Sequence, residues 1–106
     1  MKNPIRFAVL ITAAAFTGIS ALAQSGADTY KSKCQMCHAA DGSGNTSAGK
    51  SMKTPSLSSP DIVSKSDADL IAATKNGVGK MPAYSGKLSD AQIKDVVAFI
   101  RTLQKK

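Results

Sequence analysis

One five-residue segment, "CQMCH" from Cys34 to His38, contains the only two cysteines and the only histidine of this 106-residue chain. The two thiols are three residues apart, and the imidazole follows the second thiol directly. At 3.6 residues per helical turn, all three side chains lie within about a turn and a half of chain. Any fold proposed for this sequence therefore has to explain why three reactive groups are placed together.

Three of the four interpretations that we consider for this segment leave part of it unexplained. A structural zinc site normally takes four Cys or His ligands, and the chain has three such residues. A thioredoxin-like cysteine pair belongs in a βαβ context, which this sequence lacks. A simple disulfide would close a very small loop and would leave His38 without a role.

The fourth interpretation, covalent attachment of a c-type haem, uses the whole segment, because C-x-x-C-H is the signature of that site. Two thiols on one helical turn can form thioether bonds with the two vinyl groups at one edge of a porphyrin. The imidazole of the next residue can then reach the iron from one face. We therefore expect one haem c, attached through Cys34 and Cys37, with His38 as an iron ligand.

The first residues have the pattern of an export signal. Lys2 and Arg6 precede an uncharged apolar stretch and then "ALAQ", in which two alanines have the spacing that a signal peptidase accepts. We expect a cleaved signal peptide over residues 1–23 and one exported, periplasmic domain over residues 24–106. An uncleaved anchor is the alternative, because the uncharged run over 7–27 has 21 residues and a membrane span needs about 20 apolar ones. Polar residues and glycines in its second half favour cleavage.

The expected mature chain is long enough for one domain and too short for two. Chains of this size often need a disulfide, a metal or a cofactor to stabilise a small core. Without Lys2 and Arg6, 12 basic residues remain against 7 acidic ones, a net charge of +5. The lysines are scattered and aromatic residues are few, so we expect no nucleic-acid binding.

The hydrophobic pattern predicts an all-α fold. Less polar residues at intervals of three and four indicate a first helix over about 27–37. Ser66 and an acidic first turn begin a second helix, which Gly77 ends. Ser89 and Gln92 form the capping box of a last helix. Its apolar stripe consists of Ile93, Val96, Val97, Ile100 and Leu103.

Between the first two helices, residues 39–60 are dominated by Gly, Ser, Thr, Ala and Pro. A loop of this length is uncommon in a compact domain unless it is functional or encloses something. We therefore expect three to four short helices and loops wrapped around one covalently bound haem.

A second axial ligand is expected to be a methionine, because the chain has no second histidine and thioether sulfur is the usual alternative. Met1 is expected to leave with the signal peptide, and Met36 lies on the same helical turn as His38. Met52 and Met81 remain. Met81 is favoured because glycines and a proline in "NGVGKMPAYSG" indicate a shaped loop that presents one side chain.

The chain over residues 26–103 resembles the class I c-type cytochromes, which are small single-haem proteins of bacterial periplasms. "CQMCHAADGSG" resembles their haem-binding segment and "KMPAY" their methionine loop. "TPSL" resembles the segment whose proline accepts a hydrogen bond from the ligand histidine. The resemblance implies that the carbonyl of Pro55 accepts a hydrogen bond from the ligand histidine. It also implies that Gly26 and Tyr30 of the first helix lie in the core and that Phe99 packs against the glycine.

With His38 and Met81 both bound, the iron has no open site, so we expect a one-electron carrier and no enzyme. The alternatives are a haem protein that binds gases or peroxide through a displaceable sixth ligand, and an electron-transfer subunit of a larger oxidoreductase. We expect a monomer without stable membrane insertion after cleavage. Five lysines are expected around the haem edge, where they would attract redox partners with acidic docking surfaces: Lys33, Lys50, Lys53, Lys80 and Lys87. The expected apolar pocket residues are Leu57, Leu70, Ile71 and Val78.

Overall fold

The computed structural model describes residues 25–104, and both the predicted signal peptide and its cleavage site lie outside that range. Within it, regular structure is helical, and the only β-type pairs are two isolated bridges, Val78 with Met81 and Ser85 with Leu88. The prediction of an all-α fold is confirmed. Among the described helices, none combines the length and the apolar character needed to cross a bilayer.

We number the helices of the described range α1 to α5. Helix α1 is described over 25–38, with α-helical turns at 25–29, a π-helical stretch at Tyr30–Cys34 and an α-helical end at Gln35–His38. The others are α2 (Ser47–Ser51), α3 (Pro60–Val63), α4 (Asp67–Asn76) and α5 (Asp90–Gln104).

The predicted ends of α4 and α5 are confirmed. The hydroxyl of Ser66 accepts a hydrogen bond from the Asp69 N–H at 3.1 Å, and Gly77 ends α4 with a φ of 81°. At α5, Gln92 N–H donates to the Ser89 hydroxyl at 3.1 Å, and Ser89 N–H donates to the Gln92 side chain at 2.8 Å. These bonds satisfy backbone N–H groups that have no partner inside the helix.

The core forms where α1 meets α5. A Cβ at Gly26 would overlap the carbonyl oxygen of Asp95 and lie 3.1 Å from the Cβ of Phe99. Only glycine allows this close approach of the two backbones. The ring of Tyr30 lies 5.3 Å from that of Phe99, centroid to centroid. The packing of Phe99 against Gly26 and the place of Tyr30 in the core, which the resemblance implied, are thus present. The predicted apolar stripe of α5 supplies four buried side chains: Ile93, Val96, Val97 and Leu103.

Three features differ from the sequence-based expectation. Helix α2 is a single turn within the 39–60 segment that was expected to be a loop, and the single turn α3 begins at the last residue of that segment, Pro60. The described range therefore has five helices, where three to four were expected. In α1, the Gln35 N–H bonds to the Tyr30 carbonyl, five residues back, which gives the π-helical stretch. Such stretches are rare and have no simple sequence signal, but they often occur near functional sites.

Two polar side chains of α5 attach it to the segment between α2 and α4 and to the first residue of α4. The Arg101 guanidinium bonds to the Asp67 carboxylate at 2.8 Å and to the Lys65 carbonyl at 2.5 Å. Gln104 donates from its side-chain amide to the Leu57 carbonyl at 2.7 Å. These bonds fix one wall of the cavity described next.

Candidate functional site

A cavity of about 420 Å³ lies between α1, the 52–65 segment, α4 and the loop that follows α4. This volume falls within the range of roughly 300–1,000 Å³ that small-molecule and cofactor sites occupy. Cys34, Cys37 and His38 all line it, so the motif faces the cavity. Most of the remaining lining is apolar and includes Leu57, Ile62, Leu70, Val78, Pro82 and Ile100.

The two cysteines are free thiols, and no disulfide joins them. Cys34 is buried, and this burial raises the pKa of its thiol to about 11, with a smaller contribution from Cys37. Reactive and metal-binding cysteines instead have lowered pKa values, because the thiolate is the active form. The described residues also contain no group of three or more metal-ligating side chains. The geometry therefore gives no support to a zinc site or a redox-active disulfide.

The imidazole of His38 has the properties that a metal ligand needs. Burial lowers the pKa of His38 below its usual 6.5, which favours the neutral form that binds metals. Its Nδ1 atom is buried and has no hydrogen-bond partner among the described residues. A buried polar atom without a partner is costly and requires an explanation, such as a partner acquired when the cavity is filled.

Pro55 lines the same cavity as His38, but the expected hydrogen bond from His38 Nδ1 to the Pro55 carbonyl is not formed. The Pro55 carbonyl oxygen lies close to Gly44, where a Cβ would be 3.6 Å from it. Gly44 has a φ of 78°, which turns the chain here and brings its N–H to the His38 carbonyl at 2.8 Å. Pro55 and His38 thus line the same cavity without a hydrogen bond between them.

The backbone of the motif is held from outside the cavity lining by Thr46 and Gly49. The Thr46 hydroxyl donates to the Met36 carbonyl at 2.7 Å and accepts from the Gly49 N–H at 2.8 Å. A Cβ at Gly49 would overlap the carbonyl oxygen of Cys37, so α2 lies directly against the motif. The short helix that interrupts the expected loop therefore positions the two thiols.

The end of α1 is fixed at Ala39, directly after His38. Ala39 has φ 70° and ψ 162°, a conformation that residues other than glycine rarely adopt. Its carbonyl accepts a hydrogen bond from the buried Tyr30 hydroxyl at 2.5 Å and another from the Gly42 N–H at 3.2 Å. Backbone strain of this kind costs of order 1–3 kcal/mol and persists only where surrounding contacts impose it.

Of the three methionines in the described range, two line the cavity. Met36 is 74% exposed and lies outside the lining, as expected from its place on the helical turn of His38. Met52 and Met81 both line it; Met52 is 44% exposed and Met81 is half-buried. The Met81 backbone pairs with Val78, with an N–H to carbonyl distance of 2.8 Å.

Exposed lysines surround the cavity, and no acidic side chain is among the described residues that line it. Four lysines belong to the lining: Lys33, Lys53, Lys65 and Lys80. Lys50 and Lys87 do not, although both were expected there. Of the four predicted apolar pocket residues, Ile71 is likewise absent from the lining. Lys65 was not anticipated, because its place depends on the bonds of the Arg101 guanidinium rather than on a local pattern.

Tyr84 is the site residue that the motif analysis missed. It is half-buried, lines the cavity and donates its hydroxyl to the Lys33 carbonyl at 3.0 Å. Its place at the end of "KMPAY" was a signal that it belongs to the methionine loop, but the sequence does not indicate the partner of its hydroxyl.

The chain matches a family model described as "Cytochrome C oxidase, cbb3-type, subunit III" over residues 21–100. It is 33% identical over 109 residues to cytochrome c6 of a Picosynechococcus strain, covering 94% of this chain and 92% of the relative. It is 34% identical over 80 residues to cytochrome c6 of Leptolyngbya boryana, covering 74% and 88%.

A further relative is the cytochrome c subunit of the quinone alcohol dehydrogenase of Gluconacetobacter polyoxogenes, 36% identical over 88 residues. That match covers 73% of this chain and only 18% of the relative's length. The family match, the cytochromes c6 and an apolar cavity lined by both cysteines and the histidine agree with one another. The chain therefore belongs to the small c-type cytochromes.

Proposed function

We propose that this protein is a periplasmic one-electron carrier whose haem is attached through Cys34 and Cys37 and ligated by His38 and Met81. The observation that carries the proposal is that these four side chains line a single apolar cavity of cofactor size. When bound, the haem supplies one-electron reduction and oxidation of its iron, and the protein supplies binding, orientation and electrostatics.

Each of these residues has a defined part in that function. His38 offers a neutral imidazole, and a methionine thioether as the second ligand raises the reduction potential of the site. The apolar side chains around them exclude water, which keeps the local dielectric constant low and affects the potential. With both ligands in place, the site has no position for a substrate, so the protein transfers electrons without catalysing a reaction.

We also propose that Pro55 accepts the Nδ1–H of His38 in the haem-loaded protein. A metal-bound histidine almost always donates its other ring N–H to a carbonyl, a carboxylate or water, which fixes the tautomer and the ring orientation. His38 Nδ1 has no partner among the described residues, and Pro55 is part of the same cavity lining.

The choice between Met81 and Met52 is tested with two matched variants, Met81→Ala and Met52→Ala, produced with haem in a host that matures c-type cytochromes. We expect Met81→Ala to lower the reduction potential and to abolish the weak long-wavelength absorption of methionine-ligated ferric haem. Met52→Ala should retain both properties. The reverse pattern would assign the ligand to Met52 instead.

Export and processing are tested by the intact mass of the same protein. The pattern over residues 1–23 supports removal of a signal peptide and a periplasmic location. The proposal predicts a mass equal to residues 24–106 plus one haem. A mass that includes residues 1–23 would show that the segment is retained, and a mass without haem from a competent host would contradict attachment at Cys34 and Cys37.

The lysines around the cavity support docking to acidic redox partners. Lys33, Lys53, Lys65 and Lys80 are exposed, and an edge of one charge sign accelerates encounter with an oppositely charged surface. We propose that the protein acts as a monomer in weak, transient complexes. Lys80→Gln should slow electron transfer to an acidic partner at low salt and have little effect at high salt. An equal loss at both ionic strengths would rule out electrostatic attraction.

A permanent subunit of a larger oxidoreductase is the second candidate, and it is favoured by the relatives that are named as subunits. The test is isolation of the native protein under mild conditions, followed by measurement of its mass. A monomer supports the free carrier, whereas a single assembly of fixed stoichiometry supports the subunit.

A further inference from the structure

The hydroxyl of Tyr84 joins two parts of the chain that are far apart in sequence. It donates to the backbone carbonyl of Lys33 at 3.0 Å, across 51 residues. Lys33 lies in the π-helical stretch of α1 and directly precedes Cys34. This one side-chain bond therefore connects the loop after α4 to the helix that bears the haem-attaching motif.

The backbone of Tyr84 is fixed independently of its side chain. Its N–H donates to the Thr74 carbonyl at 3.0 Å, and the next N–H, of Ser85, donates to the Lys75 carbonyl at 3.1 Å. Its own carbonyl accepts from the N–H groups of Lys87 and Leu88, both at 2.9 Å. The residue thus rests on the last turn of α4 while its hydroxyl contacts α1.

Met81 lies three residues before Tyr84 in the same loop. At the other end of this segment, a Cβ at Gly77 would overlap the Met81 carbonyl oxygen, and Met81 N–H bonds to the Val78 carbonyl. The segment 77–84 is therefore held at its start by Gly77 and at its end by Tyr84. Among the described residues, the Tyr84 end alone has a hydrogen bond to the helix that carries His38.

We propose that Tyr84 is a positioning residue that keeps the 77–84 segment closed against α1, and thereby keeps Met81 within reach of the iron that His38 binds. This inference rests on the proposed ligation by His38 and Met81. On this inference, the Tyr84 hydroxyl controls the fraction of molecules in which Met81 is detached from the iron. Loss of the hydroxyl removes the bond to Lys33 and leaves the ring and the backbone bonds of residue 84 unchanged.

The expected effect is a population shift. A hydrogen bond of net strength typical for proteins corresponds to about a 5- to 10-fold change in an equilibrium. An external ligand binds only where Met81 is detached, so its apparent affinity rises by the same factor as the detached fraction. Free imidazole is a suitable probe, because it binds ferric haem at the position that a detached methionine leaves.

The experiment measures the apparent dissociation constant of imidazole for the haem-loaded ferric protein and for Tyr84→Phe. We expect the variant to bind imidazole about 5- to 10-fold more tightly. Tyr30→Phe is the matched control, since its hydroxyl also donates to a backbone carbonyl, that of Ala39, but does not contact the 77–84 segment. Its imidazole affinity should stay close to that of the unaltered protein.

Met81→Ala separates failure of this inference from failure of the proposed ligation. Tight imidazole binding by Met81→Ala, with no change in Tyr84→Phe, would overturn the role of Tyr84 and retain Met81 as the ligand. Equal increases in Tyr84→Phe and Tyr30→Phe would also overturn it, because they would reflect general loosening of the fold. Unchanged binding by Met81→Ala would reject the ligation itself, and the inference with it.

Discussion

At His38, the burial that places the imidazole in the cavity also decides its protonation state. Burial lowers the pKa of His38, whereas the unfolded chain retains the ordinary value of about 6.5. The folded protein therefore binds fewer protons at this residue than the unfolded chain does. The same neutral form is the one that binds a metal, so folding and ligation favour the same protonation state.

The sign of the resulting pH dependence follows from linkage. The contribution of neutral His38 to stability is fully present above about pH 6.5 and is lost as the pH falls below that value. We expect the free energy of unfolding of the haem-free chain, in which no iron binds the imidazole, to decrease between about pH 7 and pH 5 when it is measured with urea. A steady increase over that interval would contradict the burial of a neutral imidazole.

Gly26 is a second position where a single residue controls the fold. A Cβ there would overlap the Asp95 carbonyl oxygen and force α1 away from α5. We expect Gly26→Ala to lower the free energy of unfolding by about 2–3 kcal/mol, a cost typical of overpacking. Urea titration measures the change.

Gly79→Ala is the control for this substitution. A Cβ at Gly79 has no atom within 4 Å, but the φ of 57° there is unfavourable for alanine, so a smaller loss of about 1 kcal/mol is expected. Equal losses at both positions would show that the close approach of α1 and α5 is not what requires glycine at position 26.

At the scale of single elements, the structure shows what helix α2 does for the motif. Thr46 caps α2 and bonds to the Met36 carbonyl, and Gly49 lies against the Cys37 carbonyl. A helix of five residues is too short to be stable alone, so these contacts account for its formation. The element and the motif thus stabilise each other.

The prediction at this scale concerns Thr46→Val, which has a similar shape and no hydroxyl. It removes the cap on Gly49 N–H and the bond to the Met36 carbonyl, and should lower the free energy of unfolding by about 1–2 kcal/mol. Thr102→Val is the control, because its hydroxyl bonds only to the Phe99 carbonyl on the exposed side of α5. A change below about 0.5 kcal/mol is expected there. Similar losses in the two variants would argue against a special role for α2.

Local sequence signals predicted some elements correctly and missed others for a physical reason. The N-termini of α4 and α5 depend on capping hydrogen bonds between residues three apart in sequence. Ser66, Ser89 and Gln92 were therefore sufficient to predict them. The π-helical stretch of α1 and the single turn α2 depend on contacts with distant segments. Neither has a repeating pattern that a reading of the sequence alone can detect.

At the scale of the whole molecule, the cavity is formed by segments that contribute one wall each. The motif is contiguous in sequence, so its three side chains were predictable as one site. The missing bond between His38 and Pro55, the inclusion of Lys65 and the partner of Tyr84 depend instead on how the 39–65 and 77–88 segments fold back onto the helices. Long-range bonds of this kind follow from the packing of the complete chain.

On the proposed ligation, the protein would act as a simple carrier only if small molecules could not reach the iron that His38 would hold. Met81 is proposed to close the position opposite His38, and the bonds at Gly77 and Tyr84 hold the segment that carries Met81. A closed site excludes small molecules, whereas a haem enzyme or a gas-binding protein requires an open or displaceable position. The two functions therefore differ in a single property, which is access of a small ligand to the iron.

The most direct measurement is the absorption spectrum of the reduced, haem-loaded protein before and after addition of carbon monoxide at neutral pH. Ligation by His38 and Met81 predicts an unchanged spectrum for the natural chain and a clear shift for Met81→Ala. Ready binding of carbon monoxide to the natural chain would contradict the closed site and, with it, the function of a simple electron carrier.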